Sequence, residues 1–558
     1  MNSGNLSITA SSVIGAGVSW SNGNTSSATF SNLGAGLFSL TGSSISGNGF
    51  DFVRTSGGTT IGAITFSGSS GSGSGMSLLG GAALTQSSGH LRLTGGSTSG
   101  LGFNQASGST VTNAGTGTLT LESTNNGMTL AGAITSNSAA ATLRSASDVT
   151  LASGATVQGS SPVIDATGHF VNQAGSSALT AISGRWLIYS ADASGNTFGA
   201  LDSGNTALWN ATYASLPPAN VTASGSRYVF AHQPTLTFSS IATSKVYGDD
   251  ASSSLGARYT VSGYDAGAAH AYLADSASTA FSGAPTLSSG GASASATVTG
   301  GPYAIAIAQG GVTSSTGYAL LFDGSGSLAV TPRALTVQAG NGTHIYGNAL
   351  TFAGTEFSTT GLVNSDLVAS VNLSSTGASS TANVGSYAIT GSGAAGSGLS
   401  NYNIAYLNGS LAVMPRTLYY VADVSTRPRG VSNPPLSGTL AGFVNGDTAA
   451  SASSGSLRWS TSAGPDSAAG LYAIVGSGVY VLSGNYVLAQ AASNAAALRI
   501  TDTPLPALPS LFLALARSPS RVGDAADLPA SNCDRMGLGA GDYAAKPSCP
   551  ATRRHADR

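Results

Sequence analysis

The chain has 558 residues, 8% charged and 41% hydrophobic, with 77 glycines and a formal net charge of −2. Disordered polyelectrolytes combine low hydrophobicity with high net charge, so this balance favours a folded chain. It also argues against a nucleic-acid partner, which needs a basic face.

The two Lys (Lys245, Lys546) and two Glu (Glu122, Glu356) leave few charged helix formers. Small and β-branched residues dominate instead and predict an all-β chain. The length predicts about three to five domains. No run of about 20 apolar residues marks a transmembrane segment. Met1-Asn2-Ser3-Gly4-Asn5 has neither the basic nor the apolar part of a secretory signal, so an exported chain of this type is expected to be a fragment. Cysteine is confined to Cys533 and Cys549, which suits a chain that crosses a periplasm unfolded.

Residues 1–180 read as short strands broken by turns. Asn5-Leu6-Ser7-Ile8-Thr9, Leu91-Arg92-Leu93-Thr94, Thr118-Leu119-Thr120-Leu121 and Asp148-Val149-Thr150-Leu151 alternate apolar and polar residues. Turns follow at Asn22-Gly23, Asn48-Gly49, Asn126-Gly127 and Ser153-Gly154. Strands this short suit a right-handed parallel β-helix of about 20 residues per coil, with Leu, Ile, Val and Ala inward and Ser, Thr and Asn outward. The repeat looks too irregular to give its phase. Residues 181–234, with Trp186, Trp209, Tyr213, Tyr228 and Phe230, read as a cap and junction.

Residues 235–503 hold three copies of one module. Gly301-Pro302-Tyr303-Ala304-Ile305 recurs as Gly385-Ser386-Tyr387-Ala388-Ile389 and Gly470-Leu471-Tyr472-Ala473-Ile474. A second tyrosine follows in each copy, at Tyr318, Tyr402 and Tyr486. Gly361-Leu362-Val363-Asn364-Ser365-Asp366 matches Gly442-Phe443-Val444-Asn445-Gly446-Asp447, with Gly263-Tyr264-Asp265 in the first copy. Copies one and two close on Leu328-Ala329-Val330-Thr331-Pro332-Arg333 and Leu411-Ala412-Val413-Met414-Pro415-Arg416. Such repetition predicts an array of small β-sandwich, immunoglobulin-like domains at 235–331, 332–415 and 416–503. Beads in series of this kind are expected to make a stiff stalk. The composition of 504–558 predicts a mostly disordered tail, and its apolar run Leu511–Leu515 is too short to span a bilayer.

The first third resembles the β-helical shaft of filamentous-haemagglutinin-like exoproteins of Gram-negative two-partner secretion. Gly184-Arg185-Trp186-Leu187-Ile188-Tyr189-Ser190 and Trp209-Asn210-Ala211-Thr212-Tyr213 look like the segment that closes that shaft. Lys245-Val246-Tyr247-Gly248-Asp249 and His344-Ile345-Tyr346-Gly347-Asn348 resemble the opening of YDG and MBG-type modules. Copy three departs, with Arg427-Pro428-Arg429-Gly430 at that place, which puts its first strand in doubt. The family's secretion domain is absent from the sequence. The resemblance implies an adhesin at the cell surface or secreted, exported by an outer-membrane transporter and attached to host cells through an unnamed glycan or protein receptor.

Chemistry is sparse. Parallel β-helices also serve polysaccharide lyases and hydrolases, which need converging carboxylates. The candidates are Asp51, Glu122, Asp148 and Asp165, near Arg54, Arg92 and Arg144; Asp148 and Asp165 would form a pair if neighbouring coils stacked them. The histidines lack metal spacing, and Asp249-Asp250 suits turn capping better than Ca²⁺. Gly71-Ser72-Gly73-Ser74-Gly75 has no following helix, so it is not a phosphate loop. Tyr303, Tyr387 and Tyr472 read as core aromatics with edge-bonded hydroxyls rather than ligand platforms, and Trp186 and Trp209 as cap packing. A toxin stalk would need a compact carboxy-terminal domain, for which the tail is short. The expectation is a non-enzymatic adhesive protein with no cofactor, metal or catalytic residue, and the enzyme reading as its alternative.

Overall fold

The computed structural model describes residues 6–12, 15–21, 37–53 and 62–502. Asn22-Gly23, Arg54 and everything from residue 503, including Leu511–Leu515, Cys533 and Cys549, lie outside the described residues. The described residues form two units: one holds those up to 419 together with 441–455 and 479–489, the other 420–440, 456–478 and 490–502.

In the first unit, short alternating strands pair in parallel with the strand one coil later. Among the described residues the longest sheet has nine strands: Leu6–Ser12, Phe38–Ser44, Ile64–Ser70, Leu91–Ser97, Leu119–Ser123, Ala141–Ser145, Val163–Ala166, Leu187–Ser190 and Arg227–Phe230. Sheets of seven and five strands, running through Phe103–Gln105 and Thr110–Asn113, complete the parallel β-helix. Phe38 pairs with Ile64, Ile64 with Leu91, Leu91 with Leu119 and Leu119 with Ala141. Coils thus take 26, 27, 28 and then 22 residues, longer than the expected turn of the helix. The long sheet also runs beyond residue 180, since two of its strands come from 181–234.

The register stacks like on like. Leu40, Phe66, Leu93, Leu121, Leu143, Ile164, Ile188 and Tyr228 form one buried column. Phe50, Met76, Phe103, Met128, Val149 and Phe170 form another. Area burial of this kind drives the stack, and each column excludes water along its length.

The expected outward placement of Ser and Asn is corrected at the corners. Gln86, Asn113 and Asn172 are buried there, where the turning backbone presents carbonyls inward that need donors. Asn113 Nδ2 donates to Gly117 O at 2.7 Å and Asn172 Nδ2 to Gly175 O at 2.9 Å. Ser44, Ser70 and Ser97 also point inward. Each donates to a carbonyl one coil back, Ser97 to Gly73 at 2.6 Å, and accepts from the amide three residues on, Gly100 to Ser97 at 2.9 Å. These corners share the pattern Ser-x-Ser-Gly-x-Gly at 44–49, 70–75 and 97–102, which gives the phase that looked unreadable. A Cβ on Gly75 would lie 2.2 Å from Gly96 N of the next coil, so the last position must be glycine.

The second copy of the module shows its plan. Arg333–Ala339 pairs antiparallel with Phe357–Thr360 and parallel with Tyr402–Leu407. The closing strand Gly409–Met414 lies between Gly342–Ile345 and the tyrosine strand Gly385–Ser397, which continues to Leu367–Ser374. The first copy repeats this with Thr235–Ser240 and with Ser327–Thr331. In the second unit, Leu498–Thr501 pairs parallel with Ser425–Pro428 and antiparallel with Gly470–Tyr472. The first strand of copy three, doubtful from its sequence, is therefore present: Arg427 pairs with Ile500 as His344 pairs with Val413 and Lys245 with Val330.

Candidate functional site: an aromatic–aspartate joint used three times

The YG element sits where one module hands over to the next. Tyr247 follows the strand Thr243–Val246, and its amide donates to Thr331 O at 2.9 Å. Gly248 follows at φ +89, a conformation that only glycine holds without strain. The absent Cβ makes room for Val363, whose Cγ2 would lie 2.5 Å from it. Tyr247 then reaches into the second copy. Its hydroxyl donates to Asp366 Oδ2 at 2.8 Å, and so does that of Tyr402 at 2.8 Å. The two rings meet edge to face, 5.4 Å between centroids. Tyr402 also accepts from Val363 N at 2.9 Å, and Asn364 Nδ2 donates to Ala294 O at 2.8 Å.

The next joint repeats these contacts within the same unit. Tyr346 and Tyr486 donate to Asp447 Oδ2 at 3.1 and 2.8 Å with ring centroids 5.3 Å apart. Gly347 stands at φ +88 against Val444, and Asn445 Nδ2 donates to Ser380 O at 2.7 Å. In the first two copies the arginine after the closing strand adds bonds at the joint. Arg333 donates to Tyr247 O and to Asp249 Oδ1, both at 3.0 Å, and Arg416 donates to Gly442 O at 3.0 Å.

The β-helix joins the first copy through the same constellation. Trp209 takes the place of the first tyrosine: its Nε1 donates to Asp275 Oδ2 at 3.0 Å, and Tyr318 donates to the same oxygen at 2.8 Å. The rings lie 6.1 Å apart at 61°. Trp209 is thus more than cap packing, and Asp275, not Asp265, is the acid. Asp265 presents its backbone amide to Tyr318 instead, at 2.8 Å. A repeated Val-Asn-x-Asp beside a repeated tyrosine was the available signal for copies two and three; in copy one an insertion hides it.

Burial, opposed by the Val363 amide and reinforced by the Asp366 carboxylate, pushes the Tyr402 phenol up to about 12. Tyr486 rises to about 12 for the same reasons at Val444 and Asp447. Both tyrosines are held as neutral donors, which a carboxylate acceptor requires.

The first set of repeated tyrosines serves inside each copy. Tyr303, Tyr387 and Tyr472 are half-buried and donate back to the carbonyls of Thr297 (3.0 Å), Asn383 (2.8 Å) and Ala468 (2.9 Å). They pair with Leu328, Leu411 and Leu498, so they fall at one place in one plan.

The carboxylates singled out for catalysis separate into individual roles. Asp51 accepts from Asn48 Nδ2 at 2.7 Å, and Asp148 caps the His169 amide at 2.8 Å. The Asp148–Asp165 pair does not form, because Asp165 lies in a strand of the long sheet and Asp148 at the corner before Val149–Leu151. Glu122, Arg144 and Asp165 occupy consecutive rungs on the outer face, with Arg92 paired to Glu122 and Arg144 to Asp165 at 3.1 Å. Burial raises the pKa of Asp165, and Arg144 opposes that shift. Tyr213 covers the Arg144 guanidinium at 4.5 Å. Asp249 pairs with Arg333, and Asp250 accepts from Ser252 N at 2.7 Å. Among the described residues no group of three His, Cys, Asp or Glu gathers at one point, and no helix is long and apolar enough to cross a membrane.

The fold and joint define an all-β chain in which a parallel β-helix leads into β-sandwich modules coupled head to tail. Residues 335–412 and 418–495 each match the family described as MBG domain (YGX type), so the chain carries MBG repeats across its second and third copies. No curated protein and no solved structure matches the chain.

Proposed function

We propose that this chain is the structural and adhesive part of a bacterial surface exoprotein of the filamentous-haemagglutinin type. On this reading it is exported across a Gram-negative outer membrane by a two-partner secretion transporter. It is non-enzymatic and needs no cofactor. The joint carries the proposal: one acid and two aromatic donors couple the β-helix to the first module and each module to the next. Backbone pairing through the coils and buried bonds at the joints suit a chain that transmits tension while it presents a binding surface. The MBG repeats support the same reading.

The test immobilises the purified chain and measures retention of host epithelial cells under flow, beside an assay of polysaccharide depolymerisation. Retention above an inert protein, with no depolymerisation, supports the adhesive role. Depolymerisation lost in Asp165→Asn would overturn it in favour of a carbohydrate-active enzyme working on the Glu122–Arg144–Asp165 face.

A further inference from the structure

Where the β-helix gives way to the first copy, the segment 208–223 packs on Val163, Leu187, Tyr189 and Val229 of the long sheet. Between this segment and residues 315–317 lies a cleft of about 380 Å³. Ligand clefts run from roughly 300 to 1,000 Å³, so this one suits a small ligand. Hydrogen bonds to the backbone fix its walls. Trp209 N donates to Thr316 O at 2.7 Å, Asn210 N to His232 O at 2.9 Å and Ala211 N to Phe230 O at 3.0 Å. Tyr189 Oη donates to Leu216 O at 2.9 Å, and Arg185 donates to the carbonyls of Val221 and Ala223. The cleft is thus formed before any ligand arrives.

Its lining is amphipathic and uncharged. Leu208, Ala211 and Val221 supply buried apolar surface. Asn210, Asn220, Thr222 and Ser315 line it too, and their side chains make no hydrogen bond to the described residues. Thr316 beside them is buried with its hydroxyl unpartnered. At the corners of the coils, by contrast, Ser97 and Asn113 are fully engaged. Asn210 stands at φ +52, a left-handed backbone that costs any residue but glycine and recurs at ligand clamps. Among the described residues no Asp, Glu, Lys, Arg or His lines the cleft.

These features select a ligand class. A sugar ring offers apolar C–H faces and hydroxyls that both donate and accept. That matches an apolar lining edged by carboxamides and hydroxyls. A sialylated, sulfated or phosphorylated ligand would lose water and meet no countercharge. We propose that this cleft binds a neutral glycan, about one or two sugar rings of it, through Asn210, Asn220, Thr222 and Ser315. Such a site rests on the adhesive reading and gives its receptor a chemistry, an uncharged oligosaccharide.

The test applies the purified chain to immobilised neutral oligosaccharides ending in galactose, glucose or mannose, beside sialylated and sulfated ones. The parent is expected to bind neutral oligosaccharides. Asn210→Gly/Asn220→Ala removes both carboxamides, and glycine keeps the left-handed backbone. This variant is expected to bind about tenfold more weakly at an unchanged melting temperature. Ser315→Trp, at an exposed position, fills the cleft and is expected to abolish binding. Binding of acidic oligosaccharides only, no binding at all, or equal binding by the parent and both variants would overturn the proposal. Cell retention under flow, measured on the same proteins, separates this site from the adhesive reading. Retention with no neutral-glycan binding overturns the cleft alone, and cleft-dependent binding without retention overturns the adhesive role alone.

Discussion

Tyr247 and Tyr402 come from different modules, yet both hydroxyls end on one oxygen of Asp366, 2.8 Å from each. A carboxylate that receives two phenols across a boundary couples the two folds more strongly than apolar contact alone. Asp366→Asn is expected to lower stability by about 1.5–3 kcal/mol, since charge-assisted bonds are lost from a partly buried site. Tyr247→Phe should cost about 1 kcal/mol. Chemical denaturation of the two single variants and the double variant measures the coupling. Additive losses would show that the hydroxyl and the acid act independently.

Glycine at the joint has two separable duties. Gly347→Ala meets both a left-handed backbone and Val444 Cγ2 at 2.3 Å, whereas Gly430→Ala meets only the backbone. The first is expected to cost about 2–4 kcal/mol and the second about 1 kcal/mol. Thermal melts of the two variants check the ranking. Equal losses would mean that Val444 moves aside freely.

The corner serines make a third prediction. Ser97→Ala removes the donor to Gly73 O and the acceptor for Gly100 N, leaving two backbone groups in the corner without their partner. A loss of about 2–4 kcal/mol is expected, with faster amide exchange centred on residues 70–102. Gly75→Ala should do more damage there than Ser97→Ala, because its obstacle is backbone of the next coil.

Alkaline pH should open the joints between copies. Tyr402 and Tyr486 titrate near 12 in the folded chain against an ordinary 10.0. Raised values mean that the fold holds the proton, so their contribution is complete below about 10 and is lost as pH rises from there to about 12. Phenolate absorbance followed against pH should show a late component near 12. Tyr402→Phe/Tyr486→Phe should reduce it, and an unchanged late component would contradict the assignment.

The sequence made the architecture legible where side chains repeat at one spacing and left it obscure where glycine and serine do the repeating. Tyr303, Tyr387 and Tyr472 stand out because aromatic residues are scarce, so their common place in the fold follows from spacing alone. The corner pattern at Ser44, Ser70 and Ser97 repeats just as faithfully, but among so many Ser and Gly it has no contrast. The joint was half visible. Val-Asn-x-Asp and the second tyrosines could be aligned, but alignment does not say that the acid of one copy belongs to the aromatic of the copy before. Trp209 and Asp275 were hidden further, one by a change of ring and the other by an insertion.

Trp209, Tyr247 and Tyr346 play the same part at successive joints, and each meets an aspartate and a tyrosine supplied from downstream. Removing residues 333–415 as a block would join Pro332 to Arg416 and leave Tyr247 opposite Asp447 and Tyr486, with Arg416 taking over from Arg333. Duplication of the same block would be equally seamless. Loss or gain of one such block would therefore keep the same set of partners at the joint without a new interface having to arise.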